Sequence, residues 1–200
     1  MESSSDLKTF FKTLSSLKDI NGNPASITAY SVVANPDFEK IKENGKTAYV
    51  YEPITKTYQR HAHTEDSFEL FKEGAAKRLL YPQFHGREHL HPARWIEAIN
   101  SPSVKEQIAF DHQAFIGAAK MDDSYHYPLG YMAAFNWSDI QETELQKQII
   151  EDGLHLFKQL FGIESVSFVA SQSIWSDDIN PSLAANGVKL IVGQQLSPQG

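Results

Sequence analysis

The side chains that could do chemistry are concentrated in one short stretch, residues 81–92. Its histidine, arginine and glutamate residues are His85, Arg87, Glu88, His89 and His91. Imidazole is the commonest metal ligand in proteins, and it binds as the neutral base near physiological pH. Because His85 and His89 are separated by three residues, they could bind one metal ion from a helix face or from a strand end followed by a tight turn. The sequence therefore predicts a divalent metal site held by these two histidines.

The same letters, His85-x-x-Glu88-His89, also match the inverted zinc-peptidase motif, which requires a helix. Pro82 lacks a backbone donor and Gly86 is a poor helix residue, so a helix that begins before His85 is disfavoured. We expect His85 to end a strand and His89 to lie in the loop before a helix that begins at Pro92. A polar loop with unrelated histidines remains the alternative.

Length and composition limit the possible partners. With 200 residues, 41% of them hydrophobic, the chain can bury one sizeable core, which predicts a single domain over residues 1–200. The net charge of −7 disfavours nucleic acid and anionic membranes as partners. No stretch is apolar enough to span a bilayer, and residues 1–6 do not resemble a signal peptide, so a cytoplasmic location is the default expectation. The oligomeric state is not indicated.

The absence of cysteine limits the possible chemistry. It excludes disulfides, thiol catalysis and cysteine-ligated zinc or iron–sulfur sites. Any metal must therefore be held by imidazole, carboxylate and water. The carboxylates in question are Glu88 and, in the polar loop at 171–178, Asp177 and Asp178.

Other histidines and acidic residues are weaker candidates for metal ligands. His61 and His63 alternate with small residues and are predicted to be solvated loop residues. A loop at 121–130 carries Asp122, Asp123 and His126, which could reach a metal, although a solvated loop is the preferred interpretation.

Hydrophobic periodicity predicts alternating helices and strands. A capping box formed by Ser3 and Asp6 begins the first helix. The predicted helices are 7–17, 36–44, 65–75, 92–100, 104–119, 139–161 and 181–186, and the predicted strands are 26–34, 47–51, 79–84, 165–170 and 188–192. This alternation is typical of the α/β class, with a mostly parallel sheet or an incomplete, distorted β/α barrel. In such folds the chemistry lies at the carboxyl ends of the strands, where His85 and the 171–178 loop are expected.

Read together, these segments resemble the polysaccharide deacetylase superfamily. Residues 85–89, His-Gly-Arg-Glu-His, look like the family's His-(Ser/Thr)-x-x-His motif. Residues 168–172 and 187–192 are similar in layout to the family's Arg-x-Pro-Tyr strand and the strand after it. The segments 32–39 and 82–89 resemble those of a divergent, deacetylase-like branch of the family.

The resemblance implies a distorted β/α barrel and a metal-dependent hydrolase that removes acyl groups from a carbohydrate. It implies that His85 and His89 hold Zn²⁺, which acidifies a water molecule and polarises the acyl carbonyl, while a carboxylate and an imidazole move protons. Arg87, Glu88 and Trp175 are the predicted substrate-binding residues. Arg87 and Glu88 could equally form a structural ion pair.

The sequence departs from the family pattern at several points. Gly86 replaces the usual Ser or Thr, and Val169 stands where the arginine of the third motif is expected. The family's Thr-Phe-Asp-Asp and Leu-x-His motifs have no counterpart, so the chain resembles the middle of such an enzyme, as a fragment or as an inactive relative. The alternative function is a non-catalytic α/β module that binds a glycan or a protein partner. Its predicted contacts are exposed aromatic residues: Trp95, Trp137 and Trp175.

Overall fold

The fold is a parallel four-stranded sheet with helices packed against it. The computed structural model describes residues 2–116 and 130–193. The described helices are α1 Ser4–Ser16, α2 Phe38–Glu43, α3 Ile54–Arg60, α4 Ser67–Ala76, α5 Pro92–Asn100, α6 Val104–Asp111, α7 Ile140–Phe161 and α8 Asn180–Ala185. The described strands are β1 Ile27–Ser31, β2 Ala34–Pro36, β3 Tyr51–Pro53, β4 Leu80–Phe84, β5 Ser167–Phe168 and β6 Leu190–Ile191.

The strand order of the main sheet is β1-β4-β5-β6, and every pairing in it is parallel. A separate antiparallel pair, β2 and β3, follows the end of β1. The predicted α/β class with a mostly parallel sheet is therefore confirmed. Within the described residues the sheet is open, with β1 at one edge and β6 at the other, rather than closed into a barrel.

The main core lies between one face of the sheet and α7. Phe84 of β4 and Phe168 of β5 point into it, and the ring of Phe84 meets that of Phe157 edge-on at 6.2 Å between centroids. The predicted long helix is confirmed, but its buried stripe is centred on Ile150, Leu154 and Phe157, while Leu145 is exposed. Ile150, Leu154 and Phe157 therefore form the side of α7 that packs against the sheet.

A second core supports the segment that follows β4. It is built from α2, α5, α6 and the 3₁₀ turn at Gly130–Met132. Trp95 is fully buried there and stands edge-on to Phe38, with 5.6 Å between ring centroids. The loop after β4 is thus held between two packed clusters.

Several predicted elements are wrong in their details. The predicted strand 26–34 is shorter in the structure, where β1 covers Ile27–Ser31, lies at the edge of the sheet and has exposed first residues. Residues 35 and 36 belong to β2, and Asp37 caps α2 through its side chain. Asp139 caps α7, because its side chain accepts the hydrogen bond from the Glu142 amide. The predicted cap of α1 by Ser3 and Asp6 is confirmed.

Other differences concern helix length and the segments between elements. Helix α3, which no periodicity predicted, occupies Ile54–Arg60. Helix α6 ends at Asp111 rather than at 119, and Gln113 has a positive φ of 52°. Residues 131–137 form a 3₁₀ turn and irregular backbone rather than a strand or an α-helix. No helix in residues 2–116 and 130–193 combines the length and the apolar character that crossing a membrane requires.

Close contact between α7 and β4 requires a glycine at position 153, and this generates a prediction. A Cβ there would lie 2.7 Å from Cζ of Phe84 and 2.9 Å from Cβ of Arg87. Alanine normally favours a helix by about 1 kcal/mol over glycine. We expect Gly153→Ala instead to lower the free energy of unfolding by about 1–2 kcal/mol, because overpacking outweighs that gain. Urea denaturation measures this, with Gln148→Ala on the exposed side of α7 as control. A stabilised Gly153→Ala protein would contradict the close packing.

Candidate functional site

His85 lies at the carboxyl edge of the parallel sheet. It follows the last residue of β4 directly, and its backbone amide donates to the Ser31 carbonyl at 3.0 Å. On the other side, the Val169 amide donates to the Phe84 carbonyl at 3.3 Å. His85 therefore lies directly after the end of a strand, as the sequence predicted, and it sits between the ends of β1 and β5. Since residues 85–91 are not helical, the inverted zinc-peptidase interpretation is excluded.

Gly86 makes the turn that follows. Its φ of +113° is a conformation that other residues rarely adopt. A Cβ at this position would also lie 3.1 Å from the Glu88 carbonyl oxygen and 3.2 Å from the ring of Phe135. These two constraints favour glycine at position 86.

Backbone hydrogen bonds fix the loop over the end of β1. The Arg87 carbonyl accepts from the amides of Val33 at 3.0 Å and Ala34 at 2.7 Å. Further along, the His91 amide donates to the Tyr131 carbonyl at 2.6 Å. The loop is thereby held at both ends, with His89 between the two attachments.

A buried ion pair ties the same loop to α7. Arg87 donates to both carboxylate oxygens of Glu88, from Nε at 2.7 Å and from Nη2 at 2.9 Å, and its Nη1 donates to Asp152 at 2.9 Å. The guanidinium also lies over the ring of Tyr51, 4.2 Å from its centroid, and the Tyr51 hydroxyl donates to Asp152 at 2.9 Å. Glu88 is 2% exposed and Arg87 is 8% exposed. This is the structural ion pair that the sequence left open.

Burial shapes the titration of this pair. Burial raises the pKa of Glu88, and the hydrogen bonds from Arg87 oppose that rise. Burial lowers the pKa of Arg87, but the hydrogen bonds and charge of Glu88 outweigh it, so the pKa of Arg87 is raised overall. Arg87 is therefore always a cation, held in place by acidic partners.

The two imidazoles that the sequence singled out are brought together. The ring centroids of His85 and His89 are 5.1 Å apart and the ring planes meet at 60°. Nδ1 of His85 lies 2.8 Å from the Val169 carbonyl, and because a carbonyl only accepts, that nitrogen carries the hydrogen. Nε2 of His85 is then the nitrogen with a free lone pair, the arrangement common among metal-binding histidines.

His89 carries a buried nitrogen without a partner. Within the described residues, its Nδ1 makes no hydrogen bond of acceptable geometry. Burial lowers the pKa of His89, and the nearby carbonyls of His89 itself and of Met132 oppose this only in part. Burial, followed by the neighbouring His89, also lowers the pKa of His85. Both rings are therefore neutral near pH 7, the form that binds a metal ion.

The donor set for a metal is incomplete among residues 2–116 and 130–193. No group of three or more histidine, aspartate or glutamate side chains there could hold a metal ion. The carboxylate of Glu88 is occupied by Arg87, and Asp177 and Asp178 are exposed on a 3₁₀ turn. Asp122, Asp123 and His126 lie outside the described residues. The histidine pair offers two imidazole nitrogens of the kind that zinc accepts, and the described residues supply no third ligand beside them.

The other predicted binding residues are buried. Arg87 and Glu88 bind each other, and Trp175 is 5% exposed in the main core. Their role in substrate binding stays a prediction, and their burial argues against direct contact. For the glycan-binding alternative, the expected exposure of Trp95 and Trp175 is wrong, because both rings fill the cores. His61 and His63 are exposed, as expected of solvated residues.

A cavity of about 920 Å³ opens beside the histidine pair, with His89 in its wall. Its other walls come from β1 and from α1 and α3, including Tyr58 and Arg60. These α3 residues, like Asp152 on α7, were missed in the sequence. Helix α3 shows no apolar periodicity. No sequence pattern relates Asp152 to Arg87, which lies 65 residues earlier in the chain.

Comparison with known proteins gives a distant structural likeness. No family model matches the chain, and no curated protein matches it. Among solved structures, IcaB from Ammonifex degensii aligns over 99% of this chain and 77% of its own, with a TM-score of 0.43 and 11% identity. A likeness at this level assigns neither a family nor an activity, so the function is argued from the residues of the chain.

The buried ion pair generates a prediction about stability. Replacing Arg87 by Met leaves the Glu88 carboxylate buried without a cation. We expect Arg87→Met to lower the free energy of unfolding at pH 7 by about 3–5 kcal/mol. Lys147→Met is the control, because it breaks an exposed pair with Glu144 (2.6 Å) whose loss costs less than about 1 kcal/mol.

The double variant Arg87→Met, Glu88→Gln should recover much of the loss, because it removes the uncompensated charge. Urea denaturation of the four proteins measures these differences. Equal destabilisation by Arg87→Met and Lys147→Met would show that the buried pair does not hold the loop.

Proposed function

We propose that this protein is a metal-dependent hydrolase that removes an acyl group from a carbohydrate, with His85 and His89 as ligands of a divalent ion. One observation carries the proposal. Two neutral imidazoles lie edge-on with their ring centroids 5.1 Å apart on the carboxyl edge of a parallel sheet, and one of them has a buried nitrogen without a partner in the described chain. Such an edge is where α/β folds place their chemistry.

The chain itself would prepare this site before any ion binds. The Val169 carbonyl holds His85 in the tautomer whose Nε2 is free to bind a metal. The loop that carries His89 is fixed by the backbone bonds of Arg87 and by its ion pairs. A divalent ion at this position would acidify a water molecule and polarise an acyl carbonyl. Arg87 and Glu88 act as positioning residues in this proposal.

The histidine motif at residues 85–89 indicates the substrate class. Residues 85–89 resemble the histidine motif of polysaccharide deacetylases, and the histidines of that motif are the ones that meet here. The cavity beside His89, at about 920 Å³, is large enough for a small substrate, and His89 forms part of its wall. We therefore propose an acylated sugar as the substrate and Zn²⁺ as the ion.

A second candidate is a non-catalytic module that binds a ligand without turnover. It is favoured by the lack, within the described residues, of a carboxylate that joins the histidine pair. A deacetylase of the proposed kind needs a carboxylate base. Whether the protein has such a base therefore decides between the hydrolase and the non-catalytic module.

Metal binding tests the proposal directly. We expect the purified protein to bind roughly one Zn²⁺ per chain, and His85→Ala and His89→Ala each to weaken zinc affinity by at least about 100-fold. Isothermal titration measures the affinity and elemental analysis measures the content. His155→Ala is the matched control, because His155 is an exposed histidine of α7, and it should bind zinc like the unaltered protein.

Activity is measured on the same proteins as acetate released from N-acetylated oligosaccharides, with zinc and after its removal by a chelator. Zinc-dependent release that both histidine variants lose supports the hydrolase. Zinc binding without release supports the second candidate. Equal zinc affinity in all four proteins would sink both the metal site and the hydrolase.

A further inference from the structure

The cavity beside His89 runs along the free edge of β1. Residues of β1 line it from Ile27 through Ala29 to Ser31, and Val32 continues it. Because the Ser31 carbonyl accepts from His85 and the Val33 amide donates to Arg87, the end of β1 near Val32 is the end beside the histidine pair. Ile27 pairs with Leu80 at the opposite end of the strand. The cavity is thus a groove that leads away from His89.

The length of this groove follows from the strand. A parallel strand rises about 3.3 Å per residue, so the distance from Ile27 to Ser31 is about 13 Å. A channel of this length that begins at a candidate reactive centre accommodates an extended chain rather than a small acetyl group.

The walls of the groove are mainly apolar. Leu7 and Phe10 of α1, Phe71 of α4 and Leu80 of β4 line it. Phe10 is 38% exposed and Ile27 is 37% exposed, so apolar surface faces the open groove. An apolar ligand would remove this surface from water at a gain of about 25 cal/mol per Å².

Polar groups also line the groove. His89 and Asn35 lie at the end beside the histidines, where the side-chain amide of Asn35 donates to the Thr57 hydroxyl at 3.3 Å, and the charged residues Glu2, Asp6 and Arg60 belong to the wall as well. The apolar part of the wall that begins beside His89 matches a linear acyl chain with its carbonyl at that end.

We propose that the groove binds the acyl chain of the substrate, with the carbonyl at His89 and a linear chain of medium length extending along β1 towards Ile27. This inference rests on the proposed function, because it specifies which acyl group the hydrolase removes. In the reaction, water bonds through its oxygen to the acyl carbon, the bond from that carbon to the sugar nitrogen or oxygen breaks, and the leaving group takes the proton.

Binding is tested first on the metal-free protein. A dansylated undecanoic acid serves as the fluorescent probe, and the ethanolamides of acetic, butyric, hexanoic and octanoic acid compete for it. We expect each added methylene to tighten binding by about threefold to fourfold, the gain for burying one methylene group, until the groove is filled. A probe that does not bind, or competition independent of chain length, would overturn the inference.

Filling the groove tests its position. Ala29→Trp should weaken binding of the octanoyl ethanolamide by about tenfold or more, because it displaces at least two methylene groups, and should leave the acetyl compound unaffected. Ala185→Trp on the exposed side of α8 is the matched control. Val32→Phe, at the histidine end, is the second variant if Ala29→Trp does not fold, as judged by circular dichroism. Unchanged chain-length selectivity in a folded groove variant would contradict the proposal.

His85→Ala separates this inference from the proposed function, since His85 does not line the groove in the described chain. The variant should lose zinc yet bind the probe within about threefold of the unaltered protein, because the apolar contacts remain. Groove-dependent chain-length selectivity without zinc-dependent hydrolysis would support the acyl groove and reject the hydrolase. Zinc-dependent hydrolysis that prefers acetyl groups and is unchanged in Ala29→Trp would support the hydrolase and reject the acyl groove. An extended peptide that displaces the probe better than any acyl compound would overturn the acyl groove.

Discussion

The buried ion pair between Arg87 and Glu88 is the interaction on which the candidate site depends. Two adjacent residues rarely bind each other through both carboxylate oxygens, and here the geometry also engages Asp152 on α7 and the ring of Tyr51. Burying these charges costs several kcal/mol unless each is compensated. The backbone of residues 85–91 therefore has one low-energy path, and departures from it would leave a charge unpaired.

Preorganisation of the histidines follows from that constraint. Gly86 permits the turn, the carbonyl of Arg87 accepts from the amides of Val33 and Ala34, and the carbonyl of Val169, directly after β5, orients the ring of His85. Three strands thus contribute to one pair of imidazoles. Their neutral state is enforced by burial, which makes them available as ligands at neutral pH. What the described residues do not supply is a carboxylate, and that is the chemistry a hydrolase needs in addition.

The sequence predicted the parts of this arrangement that local rules govern. The strand before His85, the helix beginning at Pro92 and the capped α1 follow from hydrophobic spacing and from proline and serine at defined positions. Tertiary context decided the rest. The local sequence cannot show that Arg87 and Glu88 are buried together, or that Asp152 of α7 binds Arg87. Two tryptophans expected at the surface are core residues for the same reason, since tryptophan suits both environments. Helix α3 could not be predicted, because its seven residues show no apolar period.

The edge position of β1 connects these findings. A strand inside the sheet would have neighbours on both sides, and no groove could follow it. Because β1 pairs only with β4 in the described sheet, its outer side is left to α1 and α3, which stand far enough away to enclose about 920 Å³. The ion-pair loop crosses the carboxyl end of the same strand and places His89 at the head of that space. In the proposed groove, the exposed apolar residue Ile27 of β1 forms part of the wall. The edge position of β1 thus connects the histidine site with the apolar groove.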